Sequence, residues 1–501
     1  KNYNNTSAGD HYNVAVGYAA GRDTVDGLYN VFVGGLAGYD GDNGDNNVFV
    51  GYAAGQNNAD SNNVGIGYQA LDANTTGGEN TAIGRDSLGS NTTADANTAL
   101  GYGSLRDNTT GSANVGLGYL ALEENTTGAN NVAMGFEALE ENTTASNNTA
   151  IGYQSLSSNT TANANVAVGK RALASNTTGS NNVAVGTDAL ENHTTGSDNI
   201  AVGKNVANAL TTGNTNIAIG GQAMNTNTVG DRNVAIGYSA LETYNPASNE
   251  DSYNVAVGFA ALEADTTGKN NTAIGGNALL VNTTGGDNTA VGTAALDANT
   301  TASSNTAVGK SAASAITTGT GNVAVGANAL ESTTTSNGNT ALGYISLQSN
   351  TTGATNTAVG QEALQKNTTA NFNVAVGYQA LEENTTGANN TAIGTNALDD
   401  NTTGSDSTAV GFAALSAATT GGQNSALGYL ALQDLTTATG NTGIGYQAGK
   451  DITTGTNNTF IGNNSGIAQT TATDNTAVGH ATLAANTSGD GLVAVGSNAL
   501  D

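Results

Sequence analysis

The amino-acid sequence predicts an all-β chain folded as a parallel β-solenoid (a β-helix or β-roll) of about 29 coils, 17 residues to the coil. Three observations carry that reading. A glycine recurs at Gly17, Gly34, Gly51, Gly67, Gly84, Gly101 and Gly118, continues through Gly237, and runs again from Gly258 to Gly496. Each of these glycines closes a short run that alternates with period two, as in Asn182–Val183–Ala184–Val185–Gly186, where a helix would need a 3.6-residue period. Each repeat then ends on a polar turn of the type N-T-T-G.

Numbering the recurrent glycine as position 0, the consensus is N-[TV]-A-[VI]-G-x-x-A-L-x-x-N-T-T-G-x-x. The N-V-A-V segment reads as a short strand, the glycine as a bend and x-A-L as a second short extended piece. The spacing departs from 17 twice: it is 16 from Gly51 to Gly67 and 21 from Gly237 to Gly258. The longer step holds the sole proline, Pro246, and predicts a loop bulging near residues 242–253. One repeat cannot bury its own apolar face, whereas stacked copies can, with like residues above like. At about 4.8 Å per coil, the repeats add up to a rod of roughly 140 Å. The length would ordinarily suggest three or so domains, but nothing in the composition changes along the chain. The expectation is one continuous domain over 1–501, with variant coils at 1–66 and 440–501.

Columns of equivalent residues predict which side chains turn inward. The residue before the glycine is always Val, Ile, Leu or Met, so it is expected to point into the coil. The Ala two before the glycine then points to the other face, which a second coil wall or a neighbouring chain would have to cover, a homotrimer being the favoured symmetric solution. In three repeats Ala becomes Phe, at Phe32, Phe49 and Phe460, and the core Leu of the same repeats becomes Gly38, Gly55 and Gly466. The exchange of large for small predicts that both columns fill one interior volume.

Composition restricts the function. The 40 acidic residues against 12 basic ones give a net charge of −28. That excludes nucleic acid, whose phosphates need clustered Lys and Arg, and argues against anionic membrane surfaces. No apolar run approaches the roughly 20 residues of a membrane span, so no membrane insertion is expected. Glycine, at 69 residues, has about twice its usual share of roughly 7%, and charged residues are 10% where about 25% is typical. The strict recurrence of Val, Ile and Thr points to order. Cysteine is absent, which is compatible with secretion. The opening Lys1 reads as a processed form or a fragment.

The half-repeat N-[TV]-A-[VI]-G-x-x-A-L resembles the head repeats of trimeric autotransporter adhesins, whose short units form a parallel β-roll trimer. The full unit, as in Asn373–Val374–Ala375–Val376–Gly377–Tyr378–Gln379–Ala380–Leu381–Glu382–Glu383–Asn384–Thr385–Thr386–Gly387, is also similar to repeats of phage-type tail fibres and bacterial surface proteins. The resemblance spans essentially the whole chain and implies a β-solenoid outside the cell or on a virion, with self-association as a homotrimer, a head-to-tail filament or both. The adhesin heads have roughly 14-residue units, and neither their stalk and anchor nor a tail-fibre chaperone domain is seen here.

Catalysis is not expected. The three histidines, His11, His193 and His480, are scattered along the stack and cannot meet in a metal or nucleophile cluster. Four weaker patterns remain. The N-T-T turns are N-x-T acceptors, so Asn74, Asn91, Asn108, Asn125, Asn142, Asn159 and Asn176 are candidates for N-glycosylation; the same column also holds Leu210, Ile316, Leu435 and Ile452, which favours an inward asparagine ladder. At position +1, Tyr68, Tyr102, Tyr119, Tyr153, Tyr378, Tyr429 and Tyr446 make an outward column that either stacks on itself or grips a cell-surface glycan or partner. Asp40, Asp42 and Asp45 form an acidic turn whose oxygen ligands suit calcium, although no cofactor is required; a solvated turn is the plainer reading. Threonine arrays on a flat solenoid raise ice binding, but adjacent Thr residues alternate in direction and make no T-x-T face. The expected function is therefore a non-enzymatic subunit of an extracellular fibre, filament or surface appendage, with a glycan- or receptor-binding adhesin or a tail-fibre shaft as the alternative and ice binding as the least favoured.

Overall fold

The computed structural model describes residues 12–41 and 44–501. It is an all-β parallel solenoid with one three-residue strand per coil and no helix among the described residues. The chain forms two compact units, Lys1–Tyr253 and Asn254–Asp501. The first carries strands β1 (Val14–Val16) to β14 (Val234–Ile236), and the second β15 (Val255–Val257) to β29 (Val493–Val495). Within each unit every strand pairs in parallel with the strand one repeat on, residue on equivalent residue, as Val166 on Val183, Ala167 on Ala184 and Val168 on Val185. The 16-residue step keeps the register, with Val48 on Val64 and Val50 on Ile66.

The contact that sets the stack is at the glycine. Gly186 donates its N–H to the carbonyl of Val168 at 2.8 Å, and its φ of +135° lies where side chains are strained. A Cβ at this position would strike the carbonyl of the glycine one coil further on; from Gly309 it would lie 2.5 Å from the oxygen of Gly326. No other residue lets successive coils close to strand spacing here, which is why the column never varies.

Two sequence expectations are corrected. The residue before the glycine points outward, not into the coil: Ile393 is 40% exposed, while Ala392, two before the glycine, is fully buried. The interior of so thin a coil has room for a methyl group in this column, and the branched side chains stand on the outer, pleated face that suits them. The x-A-L segment is not extended. Positions +2 and +4 adopt the left-handed conformation, as at Asp188 (φ 58°) and Leu190 (φ 51°), so the chain turns tightly and throws the leucine inward. Leu190 is fully buried. The conformation explains why this core column uses Leu and never Val or Ile, since β-branched residues suffer most at positive φ.

The large-for-small exchange is real packing. The fully buried rings of Phe32 and Phe49 stack at 5.9 Å, and a Cβ at Gly38 or Gly55 would come within 2.5 Å of them. In the long coil, Tyr244 occupies the position where other coils place the turn asparagine and is fully buried. The residues that follow loop out, and Arg232 returns the loop to the wall through an ion pair with Asp251.

Gly186→Ala is expected to destabilise the first unit by about 3 kcal/mol or more, from left-handed strain plus the carbonyl clash. Gly276→Ala, where a Cβ meets nothing within 4 Å, should change stability by less than about 0.5 kcal/mol. Denaturant unfolding of the two variants decides the point; similar losses would remove the contact from its place in the fold.

Candidate functional site

The asparagines of the N-T-T turns face the interior. Asn74, Asn91, Asn108, Asn125, Asn142, Asn159 and Asn176 are fully buried. Each donates one amide hydrogen to the Oδ1 of the asparagine one coil back, from 2.5 Å (Asn74 to Asn58) to 3.1 Å (Asn108 to Asn91). The other goes to the turn carbonyl three residues on, as Asn125 to Gly128 at 2.9 Å. The nitrogen that an N-glycan would occupy is thus fully committed inside the folded coil.

A second asparagine ladder, four residues before the glycine, did not stand out in the sequence as a ladder. Asn97 donates its backbone N–H to Asn80 Oδ1 at 2.9 Å, while Asn80 Nδ2 donates to the carbonyl of Ala94 at 2.8 Å, clamping the turn that closes its coil. Its only outward signal was the near-invariance of Asn in the consensus.

Substitutions in the turn ladder change its electrostatics. His193 is buried, with Nε2 2.7 Å from the Gly196 carbonyl; burial pushes its pKa down and holds it neutral. Asp265 occupies an equivalent place, accepts from the Gly268 N–H at 2.9 Å, and is pushed up to about 7 by burial. At position +5, carboxylates lie half-buried or, at Glu123, buried against the wall, and burial raises the pKa of Asp72, Glu123, Asp297, Glu382 and Asp399. Glu140, facing Glu137 and Glu123 as well, is pushed up to about 7. Glu123 has Arg106 as an ion-pair partner.

The position +1 aromatics form stacked runs on the surface. Tyr52 and Tyr68 stack at 5.5 Å; the Arg85 guanidinium lies 5.5 Å from Tyr68 and 5.7 Å from Tyr102; and Tyr102, Tyr119, Phe136 and Tyr153 continue at 5.3, 5.1 and 5.4 Å. A shorter run joins Phe412, Tyr429 and Tyr446 at 5.4 and 5.3 Å. These rings keep close to half their surface in solvent. Tyr378 is equally exposed but lies between coils that place Gln361 and Thr395 at the equivalent position, so it joins neither run. Where Gly221 replaces the ring, a cleft of about 240 Å³ opens between Lys204 and Tyr238.

Of the proposed calcium turn, Asp42 lies outside the described residues. Asp45 uses Oδ1 to accept the Leu28 N–H at 2.8 Å, a structural role, and Asp40 is paired through its backbone to Gln56. Among the described residues no group of three or more His, Asp or Glu side chains is arranged to hold a metal. At the N-T-T turns, the first threonine donates its hydroxyl to the next coil, as Thr92 to the Thr109 carbonyl at 3.0 Å, and the second, such as Thr93, is exposed.

A carboxyl whose folded pKa is raised contributes stability that is complete below its ordinary value near 4 and is lost as pH rises through the folded value. The second unit should therefore weaken between about pH 4 and pH 7 as Asp265 ionises. Asp265→Asn, restoring the ladder residue, should raise its stability at pH 8 by on the order of 2 kcal/mol and flatten that dependence. Unfolding at pH 5 and pH 8 checks this; an unchanged pH profile in the variant would refute it.

Comparison of the chain with protein-family models and with curated proteins finds no match in either.

Proposed function

We propose that this chain is a non-enzymatic structural subunit of an extracellular fibre, filament or surface appendage, assembling with copies of itself. The observation that carries the reading is the continuity within each unit: coil after coil repeats the same strand, the same two asparagine ladders and the same glycine contact. Such an object is a spacer whose length is set by repeat number. A strongly acidic surface keeps such a subunit solvated. The resemblance to adhesin-head and tail-fibre repeats points the same way.

A second reading is an adhesin or a tail-fibre shaft that grips glycans, and the specific observation behind it is the exposed aromatic ladder. Stacked rings aligned along the coils offer a flat apolar platform for sugar faces.

Negative-stain micrographs with a mass measurement test the first reading: purified protein should give filaments or discrete multimers of uniform width. Dispersed single chains at micromolar concentration would defeat it. For the second, a glycan ligand found on an array should lose about tenfold in affinity on the double change Tyr119→Ala and Tyr153→Ala, at about 0.5–1.5 kcal/mol per ring. Unchanged binding would leave the ladder a packing device.

A further inference from the structure

The outer face of the strand column has a chemistry unlike the rest of the surface. Its two rows, three residues and one residue before the glycine, contain no charged side chain on a chain whose net charge is −28. The row nearest the glycine is aliphatic or Met throughout. In the first unit the other row is Val or Ile except at Thr81, Thr98 and Thr149, and in the second it is mostly Thr. From Val166 to Ile236, five consecutive coils are aliphatic in both rows. These side chains are not spent on the core: Val185, Ile200, Ile219 and Ile236 keep 36–38% of their surface in solvent.

We propose that this face is covered by the same face of a second copy of the chain, the two ladders meeting as apposed sheets. The proposal rests on the self-assembling reading above and names the surface that does the assembling. Three arguments select a copy of this chain as the occupant. The rows repeat at strand spacing, and a partner that meets every coil must carry the same period, which this chain has. Like-charge repulsion opposes bringing any other face of a −28 chain against its twin, so the uncharged face is where self-contact costs least. The area also suffices: the fourteen strands of the first unit make a strip about 65 Å long and roughly 10 Å wide, or about 650 Å², near the ~800 Å² per partner of a stable interface. Contact of one patch with itself is the isologous geometry that closed symmetric assemblies use.

The test is molar mass by sedimentation or light scattering on the whole protein. The wild type should be a multimer, and the double change Val185→Asp and Val202→Asp should lower the mass at least twofold with an unchanged circular dichroism spectrum. Val183→Thr with Ile200→Thr, which places in the row three before the glycine a residue that Thr81, Thr98 and Thr149 already supply there, serves as the milder variant and should shift the association midpoint about tenfold. A single Val185→Cys, in a chain with no other cysteine, should form a disulfide-linked or linker-bridged pair. A dimer dissolved by these changes supports the proposal even if no filament forms, and in that case only the filament reading falls; a discrete trimer, which an isologous pair of faces does not build, overturns the pairing. Filaments or multimers that persist unchanged in the Asp variant overturn this face while leaving the fibre reading standing, and a monomeric wild type overturns both.

Discussion

The distance between one glycine and the carbonyl of the next governs the whole molecule. Parallel strands can hydrogen-bond only if their backbones approach to about 4.8 Å, and at the bend after each strand that approach leaves no space for a Cβ. Once the bend is closed, every other segment of the coil falls over its equivalent. The tight turns are tied as firmly as the strand: Leu88 donates to Ser104 at 3.0 Å and Thr92 to Thr109 at 3.0 Å, each one coil on. The glycine is thus a spacing device first and a flexible residue second.

Close stacking leaves an interior too narrow for an ordinary hydrophobic core. Alanine methyls and, in most coils, one leucine fill it, and the remaining width is taken by amides that hydrogen-bond along the stack. Buried amides cost heavily when unpaired, so each ladder holds its coils to a single register more strictly than apolar contact could. Left-handed residues such as Leu190 add strain of roughly 1–2 kcal/mol each, sustained because a turn bonded on both sides has no alternative path. Bonds within a coil, such as Asn125 to Gly128, close its turn, while the backbone ladder and the amide-to-amide bonds join each coil to the next. Stability is therefore a property of neighbours.

Fold and column membership were legible because a 17-residue period writes the same physics many times over, and averaging over repeats removes the ambiguity that a single strand would have. Side-chain direction is not legible from hydrophobicity alone, because in this strand the bulkier apolar residues are the ones left outside. Ile393 and its equivalents are the most apolar residues of the strand and stand outside, while Ala392 is inside because it is small. The turn conformation was illegible for a related reason: Ala–Leu after a glycine carries no turn signature, and only the absence of β-branched residues at position +4 betrays the positive φ. The sequence of the turn asparagines admits both a glycan site and an inward ladder, and the apolar residues sharing their column, such as the buried Leu210, mark that column as inward.

The coil that carries Tyr244 shows where this architecture accommodates novelty. Extra residues enter between the two amide columns, a buried ring takes the place of the missing asparagine, and the N-V-A-V motif begins again at Asn254. Any coil offers the same seam, so a side loop with a new specificity could be spliced in at a chosen height without retuning the spine. Evolution or an engineer can therefore write on this protein as on the rungs of a ladder, varying the attachments while the rails stay the same.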